Sequence, residues 1–218
     1  MKNRILKTGV VVLLCAVAQS YADDDKGFEL LFNGKNFEGW QDRNGKAPGK
    51  GWVVKDGAMV RAERAGDIWT KERFANFILD LEFKTTGNSG VFIRTDNPKD
   101  NVQTGIEIQI DNPPSGKPGK HSVGAIYDLV APTKNVAKRN DWNRLVITCI
   151  DNRIKVAMNG TEIVDMDLDK WTTPRMNPDG SKNKFRTALK DFKREGHIGF
   201  QDHGAVVMYR NIKIKRLK

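Results

Sequence analysis

Cysteine is almost missing from this sequence. There are two, Cys15 and Cys149. Cys15 lies in an apolar leader, so the folded part keeps one thiol and no disulfide can form within it. Cys149 sits in the apolar run Leu145-Val146-Ile147-Thr148-Cys149-Ile150. That setting predicts a buried structural thiol, because a reactive cysteine needs polar or electropositive company. Several motifs are also lacking. The chain has no Gly-rich phosphate loop, no His-Glu-x-x-His helix and no set of cysteine ligands, and no Gly-x-Ser-x-Gly elbow. These absences remove the P-loop, dinucleotide, zincin and α/β-hydrolase classes. No long apolar run follows residue 22, so no membrane insertion is expected of the mature chain.

The leader itself is legible. Lys2, Arg4 and Lys7 form a basic start, residues 10–18 an apolar stretch, and Ser20-Tyr21-Ala22 a small-residue cleavage site. Residues 1–22 therefore read as a secretory signal peptide cleaved after Ala22, with residues 23–218 as a single exported domain, periplasmic or secreted. A lipoprotein anchored through Cys15 ranks lower, since Leu14 before it is bulky for such processing. Losing three basic residues lowers the formal charge from +10 to +7. The remaining basic residues are scattered, densest at 182–194 and at the C-terminus. With export, this favours a solvated basic surface over a nucleic-acid partner.

What is present is a series of short apolar or alternating runs separated by turn residues. They fall at 28–32, 52–54, 58–60, 77–84, 90–94, 106–110, 123–130, 144–150, 153–158, 161–164, 198–201 and 206–214. Asp56-Gly57, Asp151-Asn152 and Asn159-Gly160 supply hairpin turns. This spacing predicts an all-β sandwich or barrel. Helical periodicity appears once, at 184–194, where Phe185, Leu189 and Phe192 share a face. Residues 172–184, with two prolines and a Pro-Asp-Gly turn, read as a long surface loop.

Strand alternation then sorts the polar residues. In Ile106-Glu107-Ile108-Gln109-Ile110-Asp111 the isoleucines face the core, and Glu107, Gln109 and Asp111 face away. In Ser89-Gly90-Val91-Phe92-Ile93-Arg94, Phe92 and Arg94 join that outer side, with Asn88 just before them. Gln201 and His203, and the alternates Ala125 and Tyr127, fall on it as well, with Asp128 opposite or at a bend. Trp69 is the tryptophan expected at a site rim, whereas Trp40, Trp52, Trp142 and Trp171 are expected to anchor core or loops. A face with carboxylate, amide, guanidinium, phenol and imidazole suits a sugar. The polar groups bond hydroxyls, and an aromatic ring packs on the C–H face. The plain alternative is a solvated face with pairs such as Glu107–Arg94. Glu107-x-Gln109-x-Asp111 only loosely approaches the paired carboxylates of sandwich glucanases.

Five segments together resemble the 3-keto-disaccharide hydrolase family. They are residues 27–35 with Gly39-Trp40, 87–94, 106–112, 124–129, and 196–204 with Arg210-Asn211-Ile212. The resemblance runs from residue 28 to 217, apart from the basic loop at 178–194. It implies a concanavalin A-like jelly roll of two antiparallel sheets. It also implies a 3-keto-glucoside 1,2-lyase and 3-keto-2-hydroxy-glucal hydratase, acting on glucosides oxidised at sugar carbon 3. On that chemistry Glu107 and His203 are the candidate acid–base pair. Asn88, Arg94, Gln109 and Gln201 would bind the enolate oxygen or hydroxyls, and Tyr127 and Trp69 would position the ring. Asp111, Asp128 and Asp202 would orient His203 or Arg94. Alternatively they would share a divalent metal with Glu107 and His203; the sequence leaves this cofactor open. A sugar 3-oxidoreductase is the partner that such a substrate implies. Two other readings stand beside this one: a lectin-like carbohydrate-binding module and a conventional two-carboxylate glycoside hydrolase.

Overall fold

The computed structural model describes residues 26–218, so the expected leader lies outside the described residues. Among the described residues, thirteen strands form two antiparallel sheets packed face to face, a jelly-roll sandwich. The larger sheet takes β1 (Glu29–Leu30), β3 (Trp52–Lys55), β4 (Ala58–Arg61), β6 (Phe77–Thr85), β9 (Asn143–Ile150), β10 (Arg153–Met158), β11 (Thr161–Asp167) and β13 (Val207–Arg216). Its order is β11-β10-β9-β6-β13-β4-β3, with β1 also on β13. The smaller sheet takes β2 (Trp40–Gln41), β5 (Ile68–Thr70), β7 (Ser89–Thr95), β8 (Ile106–Ile110) and β12 (His197–Phe200), ordered β2-β5-β12-β7-β8.

Period-two patterning builds the larger sheet. Phe77, Leu79, Leu81 and Phe83 on β6 are fully buried, and in the same layer Leu145, Ile147 and Cys149 of β9 face inward beside them. From the smaller sheet Val91, Ile93, Ile106, Ile108 and Ile110 complete the core. Burial pushes the Cys149 thiol up to about 12, which makes it inert at neutral pH.

Three expected elements differ. Residues 184–194 form no α-helix. Only Leu189–Asp191 makes a 3-10 turn, and Ala188 before it is extended. Phe185 and Leu189 are buried nonetheless, because the loop is tied down by side chains. Asn177 receives the Trp171 indole N–H at 2.8 Å and donates to the carbonyls of Asp128 and Lys182. Those tertiary bonds replace the helical ladder. Residues 123–130 make only isolated bridges, Ile108 to Ile126 and Ile126 to Val130. Asp128, at φ 69°, sits in the left-handed region that ends a strand. Thirdly, Arg94 also has a positive φ, 49°, and this turns its side chain off the face that alternation gave it.

Candidate functional site

Both faces of β7 and β8 are buried, residue after residue. Their isoleucines and valine meet the core. The loop that carries Lys184 lies against their polar face, and the segment 121–128 extends the sheet along the open edge of β8. Three backbone bonds join that segment to β8: Tyr127 N–H to Glu107 O, Gln109 N–H to Ala125 O, and Gly124 N–H to Gln109 O.

Glu107 is the centre of this layer and is 6% exposed. It stands opposite Phe92 on β7, and its carboxylate lies over Gly90. A Cβ at residue 90 would come within 2.7 Å of Glu107 Oε1, so glycine there is what lets the carboxylate cross the strand. Gln201 Nε2 donates to Oε1 at 3.2 Å, and Lys184 Nζ reaches Oε2 at 3.3 Å. Lys184 also lies 4.4 Å from the Tyr127 ring centroid, a cation–π contact. Burial raises the Glu107 pKa above the ordinary carboxylate range, against the opposing pull of Lys184 and the lesser one of His203. His203 is exposed on the turn after Gln201.

The supporting groups are only partly satisfied. Gln109 Nε2 donates to Asn88 Oδ1 at 3.2 Å. The buried side-chain oxygens of Gln109 and Gln201 and the Trp69 indole N–H have no hydrogen-bond partner. Each such group costs about 1–3 kcal/mol when left unmet, so a polar ligand that meets them gains correspondingly.

Trp69 is fully buried, not at a rim. It forms the floor, 5.4 Å from the Phe92 ring, and packs on Gly199, where any Cβ would approach its ring to 2.3 Å. Arg94 is a correction of a different kind. It is 1% exposed and donates to Ala75 O at 3.0 Å, Asp151 O at 2.6 Å and Asn76 Oδ1 at 3.1 Å. It therefore braces the loops at 75–76 and 151 of the larger sheet, with its guanidinium spent there and turned away from Glu107. Glu107's cation is Lys184, not Arg94.

The three aspartates named as ligands do not converge. Asp202 pairs with Arg61 at 2.6 Å and accepts the N–H groups of Ala65 and Gly66. These amides outweigh its burial and hold its pKa low. Asp128 accepts from Lys184 N at 2.6 Å and lies 3.2 Å from His121 Nε2. Asp111 accepts the Asn112 N–H. No three His, Cys, Asp or Glu side chains group as metal ligands among the described residues. The structure thus uses Asp202 to fix the 61–66 loop and Asp128 to fix the base of Lys184.

Three neighbours of the site were not singled out from sequence. Lys184 lay in the one segment the resemblance did not cover. His121 stacks on Tyr127 at 4.5 Å between centroids, brought there by a turn. Asp67 precedes β5 and accepts from Asp202 N at 2.8 Å and Asn101 Nδ2 at 3.1 Å. Burial pushes its pKa up to about 6, with the Asp202 and Glu107 charges adding to the rise. A charged residue placed directly before the apolar Ile68-Trp69 pair was the available signal.

The comparisons agree with one another. The 3-keto-alpha-glucoside-1,2-lyase-like domain matches residues 27–215. A 3-keto-disaccharide hydrolase of Bacteroides thetaiotaomicron is 28% identical, over 89% of this chain and 80% of that protein. A Parabacteroides distasonis crystal structure bearing the provisional name glycosyl hydrolase is 34% identical. It has a TM-score of 0.77 and covers 87% of this chain and 99% of its own. A second such structure from the same organism is 28% identical with a TM-score of 0.71, covering 90% and 97%.

Proposed function

We propose, from the premise that the chain belongs to the 3-keto-alpha-glucoside-1,2-lyase-like domain family, that it cleaves disaccharides or glucosides already oxidised at carbon 3, by elimination across carbons 1 and 2. The observation that carries this reading is Glu107. It is a buried carboxylate of raised pKa with one ammonium beside it and unmet amide oxygens around it.

A ketone at carbon 3 acidifies the hydrogen on carbon 2. The Glu107 carboxylate takes that proton, and the C–H electron pair moves into a C2–C3 enolate. Its negative oxygen is stabilised by the Lys184 ammonium and by amide donors from the Asn88–Gln109 pair. The enolate then collapses. The ketone re-forms, a C1–C2 double bond appears, and the bond from carbon 1 to the leaving oxygen breaks. His203, on the exposed side, supplies that oxygen's proton. Water adding at carbon 1, with the proton returned to carbon 2 by Glu107, gives net hydrolysis. Burial raises Glu107's basicity and so favours proton abstraction. Tyr127 and the loop that carries Lys184 exclude bulk water from the enolate.

The substrate must be supplied by an oxidoreductase acting on sugar carbon 3. With the signal peptide read from the sequence, both would work outside the cytoplasm. The test is to incubate residues 23–218 with trehalose and with 3-keto-trehalose, with and without EDTA, and follow products by mass spectrometry and NMR. Turnover confined to the keto-sugar is expected, and the chelator arm reads whether a divalent ion takes part. Turnover of trehalose itself would instead mean two-carboxylate hydrolysis, and binding of both without turnover a lectin-like module.

A further inference from the structure

The turn Gln201-Asp202-His203-Gly204 has two sides. On one, Gln201 Nε2 holds Glu107 Oε1. On the other, the backbone N–H of the very next residue, Asp202, holds Asp67 Oδ1 at 2.8 Å. Beyond Asp67 opens a cavity of 540 Å³, lined in part by Arg43, Arg64, Asn101 and Gly204. That volume falls in the range of small-molecule sites.

Its lining is polar and balanced in charge. Three arginines, Arg43, Arg61 and Arg64, face three aspartates, Asp42, Asp67 and Asp202. One of the arginines and two of the aspartates are already occupied. Arg61 and Asp202 are spent on each other at 2.6 Å, and Asp42 is occupied by the N–H groups of Asn44 and Lys46. The guanidinium groups of Arg43 and Arg64 make no ion pair and no side-chain hydrogen bond among the described residues. A lining with net charge near zero, yet rich in free donors beside a carboxyl, matches a neutral polyhydroxylated ligand better than an anion. Asp67's high pKa leaves it partly protonated in mildly acidic solution, able to donate as well as accept.

We propose that this cavity is the subsite for the leaving sugar, with Arg43, Arg64 and Asp67 binding its hydroxyls. The inference deepens the proposed function and rests on it. His203, between Gln201 and Gly204, would then stand between Glu107 and this cavity, where the bond to the leaving oxygen breaks. The oxidised ring occupies the Glu107 side and the departing sugar the Asp67 side.

The test compares substrates with and without a second sugar. In the double variant Arg43→Ala/Arg64→Ala, both side chains are exposed, so the fold should survive, as circular dichroism would verify. Catalytic efficiency on 3-keto-trehalose should fall about tenfold or more, as expected for lost charge-assisted hydrogen bonds. Activity on methyl 3-keto-α-glucoside, whose leaving group is methanol, should change less than about twofold. Equal loss on both substrates, or no loss on either, would overturn the subsite. If the wild type turns over neither keto-sugar, the lyase reading fails by itself. The subsite is then judged by saturation-transfer NMR with D-glucose: binding lost in the double variant supports it, and binding that is absent or unaltered overturns it.

Discussion

On the outer face of the larger sheet, Arg153 grips Asp165 at 2.6 Å, Lys155 reaches Glu162 at 3.1 Å, and Arg144 pairs with Asp80 at 2.7 Å. On the outer face of the smaller sheet, Glu107 has a single ammonium at 3.3 Å and the amide oxygens of Gln109 and Gln201 have no partner. The residue types are alike, but the first face answers its charges from within and lies mostly in water. The second is roofed by loops and left incomplete. A protein tolerates unmet buried polar groups where something else will meet them. On this difference rests our proposal that the smaller sheet is the working face; the larger is the solvated one.

The contrast can be broken by substitution. The largest effect is expected at Glu107. Glu107→Gln should lower turnover of 3-keto-trehalose by about 10²–10⁴-fold, the usual worth of a general base, with little change in KM. A variant with full turnover would remove Glu107 from the chemistry. Next is Arg94→Met, which strips the donors from Ala75 O and Asp151 O. Denaturant unfolding should show a loss of about 3–4 kcal/mol, while activity per folded molecule stays unchanged. A selective loss of activity would return Arg94 to the site.

Asp67→Asn sharpens the comparison through pH. The folded pKa, about 6, stands above the ordinary 3.8. Below about pH 3 the group is protonated in both states and costs nothing. As pH rises towards 6 the unfolded chain ionises first, so stability is lost, and above 6 the loss is complete. Asparagine removes that loss. Urea unfolding should show almost no gain at about pH 3 and a gain approaching about 2–3 kcal/mol at pH 7, the Asn101 amide turning to accept from the new one. A gain equal at both pH values would contradict the burial cost assigned to Asp67. The smallest effect is expected at Arg153→Ala on the solvated face. Turnover should not change, and the thermal midpoint should drop by at most about 3 °C. A larger drop would mean that the outer pairs of the larger sheet matter more than their exposure implies.

Sequence reading reached the sheet and much of this layer because both follow period two. Ile106, Ile108 and Ile110 against Glu107 and Gln109 is a pattern that a strand must split between faces. It failed where the chain leaves that period. Arg94 is reversed by a left-handed backbone angle that an arginine does not advertise. Residues 123–130 bend at Gly124 and Asp128 and so pair with β8 only through an isolated bridge at Ile126. Lys184 arrives over a separation of 77 residues, on a loop whose anchor is the Asn177 side chain and not any local propensity. Long-range closure of this kind has no signature in spacing, and it is what turns a polar strand face into an enclosed site.

The most direct measurement is solvent-isotope incorporation at carbon 2. 3-Keto-trehalose is incubated with the wild-type chain in D₂O and compared at short times with a protein-free control and with Glu107→Gln. Elimination followed by hydration should place solvent deuterium on carbon 2 of the released keto-sugar, far faster than in the control, and Glu107→Gln should abolish the excess. Product released with its carbon-2 hydrogen intact, together with no primary isotope effect when the substrate carries deuterium at carbon 2, would mean direct displacement at carbon 1 and would contradict proton abstraction by Glu107.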